Sequence, residues 1–214
     1  DPTSPGPHTP RVFADKLAIP LGVLPTDDGV LVQHGSEIRL YQDKDGDGRS
    51  DTHKVVLGGF GIQDSHLFPH QFEHMPGGWI YLAQGAFNYS RVFTPAFKTF
   101  RNGQREVVFN NCKLARFRAD GSEFEILTAG PNNIWGMTSF RTGETFIQEA
   151  NDLGYPVTEF IPGAAYPSFS NSRLREDNPV MPPSTPGVPM GGTGLSGLAL
   201  AADKETPFAK GQGE

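Results

Sequence analysis

Residues 69–85, PHQFEHMPGGWIYLAQG, contain two stretches of alternating apolar side chains separated by Pro-Gly-Gly. Alternation with a period of two is typical of half-buried strands, and a Gly-Gly turn between two such stretches predicts a β-hairpin. The arrangement recurs in residues 20–35, PLGVLPTDDGVLVQHG, and in residues 133–152, NIWGMTSFRTGETFIQEAND. Residues 194–203, GLSGLALAAD, begin a further copy.

Two more strands are predicted after each of the first two hairpins: EIRLYQD and THKVVLGG after the first, KLARFRAD and EFEILTAG after the second. Four strands per unit, repeating at roughly 50 to 70 residues, are typical of β-propeller blades with insertions. We therefore predict an all-β fold with blades at 12–60, 61–130 and 131–190, and a further blade starting in 191–214. Because propellers close with about four to eight blades, we expect either a fragment of a longer protein or open edges covered by a second chain.

Composition agrees with a turn-rich β protein, since the chain has 26 glycines, 19 prolines and only 36% hydrophobic residues. Residues 1–11 are rich in proline and are predicted to be disordered. The net charge of −6 without a basic stripe argues against nucleic-acid binding. No apolar run approaches the ~18 residues of a membrane span and no charged, apolar leader precedes Asp1, so we expect a cytosolic protein or a mature exported form. The lone Cys112 is predicted to be a small buried residue.

Three histidines, His66, His70 and His74, recur at intervals of four in DSHLFPHQFEHM. Three imidazoles on one face would bind zinc or iron, as in a metal-dependent hydrolase or lyase. Pro69 and Pro76 exclude a continuous helix, however, and His74 falls within a predicted strand. We favour a single histidine acting as a general base at the mouth of the propeller.

Two further polar clusters are Asn132 and Asn133 in PNNIWG, at the entry to the third blade, and Glu149, Asn151 and Asp152 in QEANDLGYP, just after a predicted strand. Amides and carboxylates at the ends of inner strands would collect near the propeller axis, where they would hold a polar cofactor or a cation. The alternative is that both clusters are ordinary turns, which asparagine, aspartate and glycine favour.

The loop DKDGDGRSD places Asp43, Asp45, Asp47 and Asp51 around two glycines, which is the alternation that a calcium loop requires. Lys54 stands where an EF-hand would have its bidentate glutamate, so a helix–loop–helix sensor is not expected. The loop joins the third and fourth strands of the first blade, so we predict a structural calcium rather than a catalytic one. A solvated Asp-Gly turn is the alternative.

The stretches LYQDKDGDGRSDTHKVVLGGFG, DSHLFPHQFEHMPGGWIYLAQGAFNYS, PNNIWGMTSF, ETFIQEANDLGYPVTEFIPGAAYP and GGTGLSGLAL together resemble the bacterial sorbosone-type, or membrane-bound, dehydrogenase family. This propeller family is related to soluble quinoprotein glucose dehydrogenase. The resemblance implies a six-bladed propeller, of which this chain would supply about three blades and one strand.

The resemblance also implies pyrroloquinoline quinone (PQQ) and calcium as cofactors, with a histidine that removes a substrate hydroxyl proton. It makes His66 the candidate base and His70 the alternative. It places cofactor contacts at Asn132 and Asn133, and calcium ligands at Glu149, Asn151 and Asp152. The arginine that precedes the second asparagine in glucose dehydrogenases is replaced by Asn132, so the charge contact that this arginine would make is not expected here.

The first hypothesis is therefore an exported, periplasmic or extracellular quinoprotein-type oxidoreductase acting on a sugar or a related alcohol or aldehyde, inactive as this fragment alone. The second is a propeller without redox chemistry that binds carbohydrate or protein, with Trp79 as a residue that would stack on a sugar or, alternatively, belong to the core. A metal-dependent hydrolase or lyase is the third.

Overall fold

The computed structural model describes residues 9–131, 133–140, 142–150, 157–164, 166, 194 and 196–199. The predicted all-β class is confirmed: these residues form antiparallel sheets with two single 3₁₀ turns, Ser65–Leu67 and Pro76–Gly78. The strands are, in chain order, β1 Val23–Thr26, β2 Gly29–His34, β3 Glu37–Gln42, β4 Thr52–Gly58, β5 His70–Met75, β6 Trp79–Gln84, β7 Tyr89–Val92, β8 Val107–Asn110, β9 Lys113–Phe117, β10 Phe124–Ala129, β11 Ile134–Ser139, β12 Thr145–Glu149 and β13 Val157–Phe160. Within the described residues no helix is long and apolar enough to cross a membrane.

The sheets are propeller blades. The first has the order β1-β2-β3-β4, the second β10-β9-β6-β5, and the described part of the third β11-β12-β13. The first strands of the three sheets, β1, β5 and β11, contact one another in chain order. Successive sheets therefore stand around a common axis with their first strands innermost, which is the arrangement of a propeller.

Alternating side chains of each blade fill two different cores, as the period of two requires. In β6, Ile80 and Leu82 pack with the first blade, whereas Tyr81 and Ala83 pack with the third. This explains why β6 lacks the polar face expected of a sheet exposed to water on one side. The β5–β6 turn uses Gly77 at φ 77°, in the left-handed region that glycine adopts without a steric penalty.

An additional hairpin, formed by β7 and β8, is inserted in the chain between β6 and β9 and was not predicted from the sequence. Its strand β7 also bonds to the residue after β4, because the backbone N–H of Arg91 donates to Gly59 O at 2.8 Å. The hairpin therefore joins the first two blades at the end where β5 begins and β6 ends.

Candidate functional site

The candidate site lies where the inner strands of the second and third blades begin. Antiparallel order brings the start of β5, the end of β6, the start of β11 and the end of β12 to this one end of the sheets. Gly85 lies at its centre: its N–H donates to Leu67 O at 3.2 Å, and a Cβ at Gly85 would lie 2.6 Å from Leu67 Cδ2 and 3.0 Å from Asn133 Oδ1. Only glycine allows the segment of His66 and the segment of Asn133 to approach this closely.

His66 is exposed on the 3₁₀ turn Ser65–Leu67, with 73% of its side-chain surface open to solvent. Its Nδ1 lies 2.5 Å from Asp64 Oδ1. A carboxylate that accepts a proton from Nδ1 fixes the tautomer of the ring and leaves the Nε2 lone pair facing outward. The pair can therefore take a proton from a bound hydroxyl group, and the geometry favours His66 over His70 as the candidate base.

A buried amide holds the segment of His66 in place. Asn88, only 1% exposed, donates from Nδ2 to Leu67 O at 2.8 Å and to Asp64 O at 3.2 Å, and its Oδ1 accepts from Asp64 N at 2.9 Å. Gln84 donates to Asn88 O at 3.3 Å and accepts from Ser90 Oγ at 2.5 Å. This network was not predicted from the sequence, because Asn88 and its partners are spread over more than twenty residues. The one local indication was the stretch QGAFNYS, which contains Gln84, Asn88 and Ser90.

His70 is fully buried, so it is not open to a substrate. Its Nδ1 lies 2.5 Å from Phe68 O, its Nε2 lies 2.6 Å from Ile134 O, and its ring stacks on Trp135 with centroids 4.1 Å apart. Burial lowers the pKa of His70, outweighing the two carbonyl contacts, which raise it. The ring is thus packed inside the protein, between the segments that form the site.

The three histidines do not converge, so the structure gives no support to a three-histidine metal centre. His74 is on the opposite part of β5, where its Nε2 lies 2.8 Å from Pro25 O, while His66 is exposed and His70 is buried. In the part of the chain that the structure describes, the only cluster of candidate metal-binding side chains is in the acidic loop. The hypothesis failed because a β-bulge at Gln71, with φ 54°, and the turn before it direct the three rings apart.

Asn133 and Glu149 are neighbours, because Ile134 pairs with Glu149 in the β11–β12 ladder. Asn133 N donates to Glu149 Oε1 at 3.2 Å, and Ala150 N donates to Asn133 O at 2.8 Å. Glu149 is 5% exposed, so its carboxylate lies inside the junction of β11 and β12. Asn132, Asn151 and Asp152 lie outside the described residues, and their assignment to cofactor and calcium stays a prediction.

The acidic loop lies between β3 and β4, as predicted. Carboxylate oxygens of Asp43, Asp45 and Asp51 lie within 4.8 Å of one another, whereas Asp47 is not part of this cluster. Asp43 accepts from Gly48 N at 2.9 Å and from Gly46 N at 2.8 Å, and these donors lower the pKa of its carboxyl group. The loop is thus folded around Asp43, and calcium binding by it stays a prediction.

Two side chains outside the site have structural roles. Two guanidinium groups lie over the Trp79 ring, with Arg118 Cζ 3.7 Å and Arg116 Cζ 4.1 Å from its centroid. Trp79 therefore makes cation–π contacts within the protein, which argues against its stacking on a sugar.

Cys112 is buried with Leu67, Ala86 and Trp135, as predicted, and burial raises the pKa of its thiol to about 12.

The fold and the exposed histidine–aspartate pair define a propeller-type protein with a candidate acid–base site at one end of its blades. The chain belongs to the family described as a domain of unknown function (DUF7133), whose sequence profile matches residues 8–185. No curated protein is similar enough in sequence to match the chain.

Three solved structures to which the chain is similar are described as glucose or aldose sugar dehydrogenases. An oxidoreductase assigned as a glucose dehydrogenase from Thermus thermophilus is 14% identical, with a TM-score of 0.39 over 79% of this chain and 70% of that one. A PQQ-bound aldose sugar dehydrogenase from Streptomyces coelicolor is 13% identical, with a TM-score of 0.37 over 73% of this chain and 64% of that one. Another glucose dehydrogenase has 14% identity, a TM-score of 0.38 and coverage of 72% and 64%. The chain thus spans less than two thirds of two of these proteins, and at such identities the likeness defines no activity.

Proposed function

We propose that the natural full-length protein is a quinoprotein-type oxidoreductase that oxidises a sugar or a related alcohol or aldehyde, with His66 as the general base. The observation that supports the proposal most directly is the exposed His66 ring with Asp64 2.5 Å from its Nδ1. An exposed imidazole whose Nδ1 is held by a carboxylate can accept a proton through Nε2. The motifs shared with the sorbosone-type dehydrogenases supply the oxidoreductase part of the proposal.

In the proposed reaction, Nε2 of His66 takes the proton of a substrate hydroxyl group. Asp64 keeps the ring in the required tautomer and stabilises the imidazolium that forms. Asn88 and Gly85 hold the segment Ser65–Leu67 against the start of the third blade, so the base keeps its position relative to Asn133. When bound, PQQ supplies a two-electron acceptor and calcium a Lewis acid.

The described residues fit such cofactors in part. The exposed His66 and the nearby Asn133 offer a base and an amide at one end of the blades. Glu149 is buried and accepts from Asn133 N, so its described contact joins β11 to β12. The remaining ligands would come from Asn132, Asn151, Asp152 and blades beyond those described here. We also propose that the protein is exported.

The test uses the full-length protein with PQQ and calcium, sugars as substrates and an artificial electron acceptor. We expect cofactor absorbance and dye reduction, with His66→Gln retaining the absorbance and losing about 10²- to 10⁴-fold in turnover. His74→Gln is the matched control, because His74 lies at the other end of β5 and should leave turnover unchanged. Absence of cofactor binding in the wild-type protein would refute the quinoprotein proposal, and full activity in His66→Gln would exclude His66 as the base.

The competing function, a propeller that binds carbohydrate or protein without turnover, is an outcome of the same experiment. Glycan binding by calorimetry, with neither cofactor absorbance nor dye reduction, would favour it. The contacts of Arg116 and Arg118 with Trp79 weaken one of its two motivations, whereas the replacement of the expected arginine by Asn132 still favours it.

A further inference from the structure

His70 is a buried polar group that the proposed reaction does not use. It begins β5, has no exposed surface, and both of its ring nitrogens face backbone carbonyl oxygens. Nδ1 faces the carbonyl oxygen of Phe68, which lies two residues after His66. Nε2 faces the carbonyl oxygen of Ile134, which follows Asn133. The ring thus lies between the two segments that meet at the candidate site.

The two carbonyl contacts differ in what they connect. A carbonyl oxygen only accepts, so each contact is a hydrogen bond only where the ring nitrogen that faces it carries a proton. Chain connectivity already keeps Phe68 beside His70, so a bond from Nδ1 adds little constraint. A bond from Nε2 to Ile134 O, 2.6 Å away, joins residues 64 apart and connects two blades.

We propose that His70 is a positioning residue that donates from Nε2 to Ile134 O and so ties the segment of His66 to the start of β11. Stacking on Trp135, at an interplanar angle of 22°, holds the ring in the plane that this bond requires. The importance of His70 for turnover rests on the proposed function, whereas the bond and its effect on the two segments do not.

Three substitutions separate the two nitrogens. In His70→Gln the side-chain amide reaches the Nε2 position and can still donate to Ile134 O. In His70→Asn the amide reaches only the Nδ1 position, and His70→Phe keeps the stacking ring without any donor. His74→Gln, on the same strand but exposed, is the control.

The readout is amide hydrogen exchange of residues 65–68 and 134–136 in the full-length protein. We expect exchange there to be about tenfold faster in His70→Asn and His70→Phe, corresponding to the loss of one net hydrogen bond, and close to wild type in His70→Gln and in the control. Equal effects of the glutamine and phenylalanine variants, or a uniform increase across all blades, would overturn the positioning role.

Nitrogen-15 NMR of wild-type protein with labelled histidine tests the tautomer without any variant. A protonated Nε2 is expected for His70, and an Nε2 without a proton would overturn the proposal even if the variants fail to fold. If the full-length protein proves to have no oxidoreductase activity, both measurements still decide the role of His70. If activity is found, His70→Gln should retain it and His70→Phe should reduce it.

Discussion

Replacing Asn88 by alanine should destabilise the protein through the segment that carries His66. The side chain makes three hydrogen bonds in a site that is 1% exposed, two to Asp64 and one to Leu67. Each such bond contributes about 1 kcal/mol net, and a buried group left without its partner costs about 1–3 kcal/mol. Leu67 O keeps its bond from Gly85 N, so the main uncompensated loss is at Asp64. We expect the free energy of unfolding to fall by about 3 kcal/mol.

Urea denaturation at pH 7, followed by tryptophan fluorescence, measures this loss. With a typical m-value of about 1–3 kcal/mol/M, the midpoint should decrease by roughly 1–3 M. Asn102→Ala is the control, because Asn102 makes its hydrogen bonds to Gln104 on an exposed turn and should change stability by less than about 0.5 kcal/mol. A loss in Asn88→Ala no larger than in the control would refute the assignment of Asn88 as the residue that fastens the segment.

The remaining predictions concern a close approach, a buried titrating group and the acidic loop. Gly85→Ala places a methyl group 2.6 Å from Leu67 Cδ2 and should cost about 1–3 kcal/mol in urea denaturation; an unchanged midpoint would contradict the tight contact. Because the folded pKa of His70 lies below its usual 6.5, the unfolded state takes up the proton first, so wild-type protein should lose stability relative to His70→Gln as the pH falls below 6.5. Calcium at a hundred times its dissociation constant should add about 2.7 kcal/mol to the free energy of unfolding. That gain should disappear in Asp45→Asn and remain in Asp47→Asn, and equal losses in the two would contradict the observed cluster.

The sequence alone determined the class and the blade pattern. Alternating side chains and glycine turns are local properties, so residues 69–85 and the strands that follow in the chain could be assigned to blades from the sequence. The position of the acidic loop on the outer strands of the first blade followed from the same strand order, since the loop joins β3 to β4. The β7–β8 hairpin was missed because its strands are short and their exposed face includes Tyr89 and Val108, which gives a weak alternating pattern.

Only the tertiary structure decided which polar residues meet. His66, His70 and His74 are equally spaced, so the sequence did not distinguish them. In the structure, the turn and the bulge leave His66 exposed and His70 buried, and His74 lies at the other end of β5. Asn88 and Gly85 acquire their roles through contacts with Asp64, Leu67 and Asn133, which are distant in the chain. The spacing of residues in the sequence predicts which side chains share a face of one strand. The site, however, lies where several strands end together. The sequence could therefore specify the blades, whereas their packing around a common axis specified the site.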